Sequence, residues 1–331
     1  MRVALVAVLV AVATLQQPPA DVARCAPAPG WTPLASPDDY RTWAILAPWR
    51  RDRTLYVGGY LTTYRSDDCG QSWSVVDFGK YPGTDIPIER DGSAWMASDP
   101  SGRIYLNRGN HLGVRSDDGE TWTVMGCGYL RKIVASQRLP GRAFAWFDKF
   151  SMRGCDGLMF TEDAGLSWTP ILNTNPEDIE IQSTSRSTLG IASVDTASES
   201  AVYYFADRLL YRVEYDLVAY VSANVQRLQV LPTNVTQAVV SGSTPARLWA
   251  ATDDGRLRMS TDGGHNWAVI DTPFRGHVVN MSIVPSDPSL LWMVTSNSEI
   301  WAYRDTMHGS PPSATPAAAP AQVPSVPDRA R

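Results

Sequence analysis

Four eight-residue segments of the chain share one pattern: Ser66-Asp67-Asp68-Cys69-Gly70-Gln71-Ser72-Trp73, Arg115-Ser116-Asp117-Asp118-Gly119-Glu120-Thr121-Trp122, Thr161-Glu162-Asp163-Ala164-Gly165-Leu166-Ser167-Trp168 and Ser260-Thr261-Asp262-Gly263-Gly264-His265-Asn266-Trp267. The common form is S/T-x-D-x-G-x-S/T-W. Arg115 replaces the first hydroxyl in the second copy, and Asn266 replaces the last hydroxyl in the fourth. Four matches of this length establish an internal repeat, which constrains the fold more than any other feature of the sequence.

The residue types of the repeat are those of a hairpin loop. An Asp side chain accepts backbone N–H groups of its own turn, and Ser or Thr does the same. Gly supplies a positive φ, and Trp opens the next strand and buries a large surface. We therefore predict a structural role for the repeat residues, with cation binding by an exposed acidic loop as the alternative. They are Ser66, Asp68, Gly70, Trp73, Asp117, Gly119, Trp122, Asp163, Gly165, Trp168, Asp262, Gly264 and Trp267.

These segments resemble the Asp-box, or BNR repeat, of sialidase-like β-propellers, which are related to the propellers of photosystem assembly factors. The resemblance covers nearly the whole chain apart from its two ends. It implies an all-β propeller whose blades are four-stranded sheets, with the box joining the third strand of a blade to the fourth.

The spacing of the boxes predicts six blades. Trp73, Trp122 and Trp168 follow at intervals of 49 and 46 residues, whereas Trp168 and Trp267 are 99 residues apart, which is two periods. The missing copy falls near residues 209–220, so the fourth blade has lost its box. A strand signature that precedes each box position occurs six times, at 55–57, 104–106, 143–146, 202–205, 248–250 and 291–294. Seven blades are the alternative, but no seventh signature is present.

The first and last segments of the repeat array complete each other. The last signature continues into Ile300–Tyr303 and then stops without a box or a fourth strand. At the other end, Gly30-Trp31-Thr32-Pro33-Leu34 is similar to Ser167-Trp168-Thr169-Pro170-Ile171, which begins with the last two residues of the third box. We predict that the N-terminal strand completes the sixth blade and closes a propeller over residues 31–307, because closure removes exposed strand edges.

The two ends of the chain are predicted to lie outside the propeller. A basic start followed by the apolar run Val3–Ala13 is typical of an export signal, which we place at residues 1–20, with a lead-in at 21–30. A disordered N-terminus is the alternative. The run is too short to span a bilayer, so no integral membrane span is expected. The Pro/Ala-rich segment 308–331 is predicted to be disordered. The protein is therefore expected to be secreted, periplasmic or on the cell surface.

The four cysteines lack zinc-site spacing, and their even number in an exported chain predicts two disulfides. Cys25 falls at the box position of the sixth blade, beside Cys69 in the box of the first. Cys127 follows the last strand of the second blade. Cys155 lies in the turn between the second and third strands of the third blade. Neighbourhood in the ring therefore predicts Cys25–Cys69 and Cys127–Cys155. Four free thiols are the alternative if the protein is cytosolic.

Charge and composition bear on the partners. The formal net charge of −5, with a pI of about 5.4, disfavours nucleic acid as a partner, because phosphate backbones require a concentrated basic surface. No metal or cofactor motif is present, and we expect no cofactor and a monomer. A protein or a glycan is the predicted partner.

The topology implied by the boxes defines two faces. Calling the strands of a blade A to D from the centre outward, the boxes lie on one face and the B–C turns on the other. Because loops on a rigid scaffold carry function, the face opposite the boxes is predicted to bind the partner. Its candidate binding residues are Tyr60, Arg108, His111, Asp148, Asp253, Asp254 and Glu299.

The function predicted from the sequence is non-catalytic binding or scaffolding. The alternative is a sialidase-like glycoside hydrolase. In those enzymes an arginine of a Tyr/Phe-Arg-Ile-Pro motif pairs with the substrate carboxylate. Tyr40-Arg41-Thr42-Trp43 keeps Tyr-Arg but lacks Ile-Pro, so the resemblance offers Arg41 as its one catalytic candidate. A general hydrolase would require two carboxylates about 5–10 Å apart, for which Asp148, Asp253, Asp254 and Glu299 are available.

Overall fold

The structure, a computed structural model, describes residues 25, 28–37, 42–49, 53–59, 62–76, 95–108, 111–115, 122–125, 130–137, 139–147, 157–170, 190–195, 200–206, 208–216, 221–241, 247–284 and 287–305. The predicted export signal and C-terminal tail, and also Arg41, Tyr60, Asp117, Gly119, Cys127, Asp148 and Cys155, lie outside these residues.

All regular structure in the described residues is β-strand. The strands, numbered in chain order, are β1 Gly30–Leu34, β2 Thr42–Leu46, β3 Leu55–Gly59, β4 Thr63–Ser66, β5 Ser74–Val75, β6 Met96–Ser98, β7 Ile104–Arg108, β8 His111–Arg115, β9 Trp122–Met125, β10 Leu130–Ala135, β11 Ala143–Phe147, β12 Gly157–Thr161, β13 Thr169–Pro170, β14 Gly190–Asp195, β15 Ser200–Ala206, β16 Leu209–Asp216, β17 Val221–Val230, β18 Val235–Val240, β19 Leu248–Thr252, β20 Leu257–Ser260, β21 Ala268–Ile270, β22 Val278–Val284, β23 Asp287–Thr295 and β24 Ile300–Arg304.

These strands form six four-stranded antiparallel sheets. Sheets 1 to 5 each consist of four consecutive strands, from β2–β5 to β18–β21, and sheet 6 has the order β1-β24-β23-β22. The first strands of the sheets, β2, β6, β10, β14, β18 and β22, are the inner strands. Each inner strand contacts the next one around the ring, and β22 contacts β2. The prediction of an all-β propeller is confirmed.

The hydrophobic core lies in the spaces between neighbouring sheets. Its largest fully buried side chains include Trp249, Trp292, Tyr105 and Phe144, all from second strands of their sheets. Trp292 of sheet 6 belongs to a cluster with Ile45 of sheet 1, and Trp249 of sheet 5 to one with residues of sheet 6. The second strands are apolar on both faces because each packs against a neighbouring sheet on both sides.

The N-terminal strand closes the last sheet, as the sequence predicts. β1 pairs antiparallel with β24, and Trp31 lies opposite Tyr303. The Trp31 ring packs edge-on against Phe274, with 5.4 Å between ring centroids, and its Nε1 donates to the carbonyl of Asp271, 2.7 Å away. The strand therefore contributes both backbone pairing and contacts with the segment that connects sheets 5 and 6.

Three of the repeat loops, 66–73, 161–168 and 260–267, are described, and we call them the aspartate loops. In the first, the Ser66 hydroxyl donates to Asp68 and accepts from the N–H of Gly70, 2.8 Å away. Asp68 also accepts the N–H and the hydroxyl of Ser72. These hydrogen bonds, led by that of the Ser72 hydroxyl, lower the pKa of Asp68 to about 2.

The same hydrogen bonds recur around Asp163 and Asp262. In the last loop the Asn266 amide donates to Asp262 in place of a hydroxyl, which explains why this exception to the repeat is tolerated. Of the second repeat segment, only the two ends are described: Arg115 closes β8 and Trp122 opens β9.

The aspartate loops also join neighbouring sheets. The Trp73 indole donates to the carbonyl of Ala35, which follows β1. Gly264 has φ of +96° and lies so close to sheet 4 that a Cβ there would be 2.5 Å from Cδ2 of Leu210. The glycine is thus required by both its backbone conformation and the packing of sheet 5 on sheet 4.

The Cys25–Cys69 disulfide predicted from the sequence is present, with 5.5 Å between the Cα atoms. It fastens the segment before β1 to the aspartate loop of sheet 1. Because β1 belongs to sheet 6, the bridge links sheet 6 to sheet 1.

We predict that Gly264→Ala destabilises the protein more than Gly30→Ala does. Both glycines have positive φ, but a Cβ on Gly30 would meet nothing within 4 Å. We expect about 1 kcal/mol for Gly30→Ala from backbone strain, and about 2–4 kcal/mol for Gly264→Ala, in which overpacking adds to strain. Chemical denaturation of both variants measures the difference. Equal losses would show that the loop does not interlock with sheet 4.

Peptide mapping without reduction should yield Cys25 linked to Cys69 and, as the sequence predicts, Cys127 linked to Cys155. We expect Cys69→Ser to lower the free energy of unfolding by about 2–4 kcal/mol, given the 44-residue separation of the bridged cysteines. Recovery of a Cys25–Cys127 peptide would contradict both pairings.

Candidate functional site

A cavity of about 100 Å³ lies in the central channel. Its described lining comes from the inner strands β2, β6, β10, β18 and β22 and from residues close to their ends. It includes buried Lys132 and, at its other end, half-exposed Trp49 and Gln137. The cavity therefore extends from the middle of the channel towards the protein surface.

The position of Trp49 assigns the cavity to one face of the ring. β2 runs parallel to β4, since both are antiparallel to β3, so the turn after β2 and the aspartate loop after β4 lie on the same face. Gln137 follows β10 in the same way. The cavity thus lies on the aspartate-loop side. Binding on the opposite face, which the sequence predicts, stays a prediction.

Small side chains account for the cavity. Ala47, Ala97 and Ala135 line it near the ends of inner strands, where larger residues would fill the channel. Strand ends with Ala look unremarkable in the sequence because their position on a channel becomes apparent only when the ring is closed.

Lys132 is the only charged residue among the described residues that line the cavity. It is 7% exposed, its Nζ donates to Oε1 of Gln237, 3.1 Å away, and it lies 5.4 Å from the centroid of the Trp95 ring. Burial lowers the pKa of Lys132 from its ordinary 10.5 to about 8. A lysine held in this way carries a readily removable proton and an ammonium charge that is poorly solvated.

Three polar side chains of the channel occupy matching places on their strands. Lys132, Gln237 and Asn280 each follow a shift of register between their inner strand and the next strand of the sheet. A shift of register of this kind changes the direction in which the following side chain points. The three residues therefore form one polar layer, which we call the channel layer.

Hydrogen bonds between sheets fix the other polar side chains of the cavity. Oδ1 of Asn280 accepts the N–H of Ile45 at 3.5 Å, and the hydroxyl of Ser282 accepts that of Ala47 at 3.0 Å. On the other side of sheet 1, the hydroxyl of Ser98 accepts the N–H of Trp49 at 3.1 Å. Inner strands are thus joined through side chains, because their edges have no further strand to pair with.

Asp254, one of the predicted binding residues, is held within its own turn. It accepts the Thr252 hydroxyl at 2.5 Å and the Arg258 guanidinium at 3.1 Å. Burial acts to raise the pKa of Asp254, but these hydrogen bonds and the charge of Arg258 together hold it below its usual value. A carboxyl with a lowered pKa is ionised at neutral pH, so it is not suited to donate a proton as a general acid.

The other predicted face residues lie near the turns on the side opposite the aspartate loops. Asp253 accepts the Asn234 amide at 2.8 Å, and Glu299 accepts the Trp301 indole at 3.3 Å. Arg108 ends β7 and His111 begins β8. Asp253, Asp254 and Glu299, whose side chains the structure describes, do not line the cavity.

Lys132 and the channel layer were not singled out in the sequence. A signal was present, because the chain has only three lysines, Lys80, Lys132 and Lys149, and one of them interrupts the strand Leu130–Ala135. Within the described residues no cluster of three or more metal-ligating side chains occurs, and no helix has the length and apolar character needed to cross a bilayer.

Comparison with solved structures places the chain among β-propellers. It matches the structure of YCF48 bound to D1 peptide with a TM-score of 0.51 and 12% identity, over 86% of each chain. It matches the GH74 xyloglucanase from Xanthomonas campestris with a TM-score of 0.50 and 16% identity, over 80% of this chain but 45% of the enzyme.

A third match is the β-propeller domain of Cps50 (Swd1) from Myceliophteria thermophila, with a TM-score of 0.53 and 10% identity, over 83% of this chain and 100% of that domain. No protein-family profile and no curated protein sequence matches the chain. At these identities the likeness shows the fold alone.

The lowered pKa of Lys132 predicts a specific dependence of stability on pH. Between pH 8 and 10.5 the unfolded chain holds more protons on this lysine than the folded protein does, so the free energy of unfolding rises with pH. Relative to Lys132→Met, the wild type should gain up to about 3 kcal/mol across this window. Chemical denaturation at several pH values measures it. If the free energies of unfolding of the two proteins change in the same way with pH, Lys132 is not a buried cation.

Proposed function

We propose that the protein is an exported, non-catalytic binding propeller of the Asp-box type, whose six sheets are six blades and whose partner is a peptide or protein segment. The observation that carries this is the channel cavity, which opens towards the aspartate-loop face. Its size and lining suit a small polar group at the end of a larger partner. They do not suit a sugar ring in a catalytic cleft.

The chemistry of the described residues supports binding over glycoside hydrolysis. Hydrolysis requires two carboxyl groups facing one cleft, usually one of them with a raised pKa. The cavity lining that the structure describes has neither Asp nor Glu, and Asp254 has a lowered pKa. Pockets for ligands of drug size measure about 300–1,000 Å³, which is several times the volume available here.

Several features support the location and the partner class. The Cys25–Cys69 disulfide favours an oxidising compartment, in agreement with the expected export signal. One structural neighbour is bound to a peptide, which gives a precedent within the fold for this class of partner. We propose that the protein acts as a monomer, secreted or on the cell surface. Half-exposed Trp49 at the cavity mouth offers an aromatic contact, which is frequent in binding hot spots.

The first experiment asks whether the protein is an enzyme. Purified protein is incubated with a fluorogenic sialoside and with a set of aryl glycosides, and we expect no turnover above a heat-denatured control. Turnover that disappears in Arg41→Ala would replace the binding function with a sialidase-like one.

The second experiment asks where a partner binds. The protein is screened against a displayed library of random peptides, and the affinities of the selected peptides are measured for two variants. Trp49→Ala should weaken binding at least about tenfold, as expected for an aromatic anchor. Glu299→Gln, on the opposite face, should leave it unchanged. The reverse pattern would move the binding site to the opposite face, and failure to select any peptide would count against the proposal.

A further inference from the structure

Among the described residues, the lining of the channel cavity is rich in hydrogen-bond donors and has one charged side chain. That side chain is Lys132, and no Asp or Glu is found in this described lining. The remaining polar side chains of the lining are neutral amides and hydroxyls, including Asn280, Ser98 and Ser282. The field inside such a cavity is positive, and it favours an anion.

In the described part of the chain, the Lys132 ammonium has N–H donors beyond the one that it directs to Gln237. An ammonium group has three N–H donors, and one of them is directed to Gln237. In the described part of the chain no salt bridge pairs this lysine with a carboxylate, and burial alone accounts for its lowered pKa. The Trp95 ring compensates part of the cost of burial through a cation–π contact.

Neighbouring side chains have their donors available because their acceptors are already occupied. Oδ1 of Asn280 accepts the N–H of Ile45, which fixes the amide orientation and leaves its Nδ2 group to donate. Ser98 and Ser282 accept backbone N–H groups, so each hydroxyl hydrogen can point elsewhere. The cavity thus combines one cation with several neutral donors.

We infer that the channel cavity is a binding site for a carboxylate group, held by the Lys132 ammonium and by the donors of Asn280, Ser98 and Ser282. A single negative charge balances the Lys132 ammonium, and an oppositely charged partner offsets the cost of burying this cation. A carboxylate has two oxygens that can accept from several donors at once. A cavity of about 100 Å³ accommodates a group the size of acetate.

The carboxylate can come from two sources. It is either a small free acid or the C-terminal carboxylate of a peptide that enters from the aspartate-loop face. The second source rests on the proposed function, whereas the first does not. A free acid and a peptide C-terminus would bind to the same donors. The two sources are therefore distinguished by comparing a small acid with a peptide that has a free C-terminal carboxylate.

Lysine side-chain NMR provides a direct test, because the chain has only three lysines. Full-length protein labelled with ¹³C at lysine Cε gives at most three signals, and loss of one in Lys132→Met assigns Lys132. Titration with sodium acetate at constant ionic strength should shift this signal saturably. The signals of Lys80 and Lys149 serve as internal controls and should show no matching saturation.

A second variant keeps the test independent of losing the lysine. Asn280→Asp can still accept the N–H of Ile45, and it places a carboxylate in the channel layer. We expect acetate affinity to fall at least tenfold in this folded variant, because the lysine then has a partner within the protein. An unchanged affinity would overturn the assignment of the donors.

Further ligands identify the source and the anion. Acetyl-Gly-Gly with a free carboxylate should reproduce the acetate shift if a peptide end is the ligand, whereas acetyl-Gly-Gly-amide should not. A response to acetate but not to the peptide acid assigns a small free acid. An equal response to chloride, or no saturable shift of Lys132 with acetate, would overturn the inference. If the selected peptides bind Lys132→Met as tightly as wild type, the proposed peptide-binding function stands. The inference that the channel cavity binds their carboxylate would then be wrong.

Discussion

Pairing of the first described strand with the last is the constraint on which the rest of the structure depends. Because β1 is hydrogen-bonded to β24, sheet 6 has four strands and its outer edge is covered. The inner strand of the same sheet then contacts β2, and the ring is complete. The core between sheets 6 and 1, with Trp292 and Ile45, exists only in this arrangement. The disulfide between Cys25 and Cys69 strengthens the same junction covalently.

Closure also determines the chemistry of the channel. Each inner strand has one edge without a strand partner, and several of its polar groups are satisfied by side chains of neighbouring sheets. Ser282 and Asn280 perform this role between sheets 6 and 1. The consequence is a channel with fixed amide and hydroxyl orientations, in which the ammonium group of Lys132 is buried. A site built on rigid strands in this way is pre-organised, whereas a site on loops must be ordered when the ligand binds.

The sequence predicted the local features of the fold well because they depend on short segments. The aspartate loops follow from residue types at fixed offsets, as the hydrogen bonds of Asp68 and Asp262 show. The closing strand followed from the likeness of residues 30–34 to 167–171, and the Cys25–Cys69 bridge followed from closure. The channel cavity was missed because its described lining comes from several sheets, and these meet only in the ring. Asp253, Asp254 and Glu299 were proposed as binding residues because turns are exposed, but their carboxylates accept hydrogen bonds from nearby side chains.

The position of β1 has a consequence for how the protein is made. During translation, β1 emerges first and has no partner until Ile300–Arg304 has been synthesised, after every other sheet. Sheets 1 to 5 consist of consecutive strands, so each can form as its own strands appear. The bond between Cys25 and Cys69 needs only the first sheet, and it can tether β1 beside sheet 1 while the remaining strands are produced. Such a tether raises the local concentration of the closing strand at the place where the last sheet will arrive.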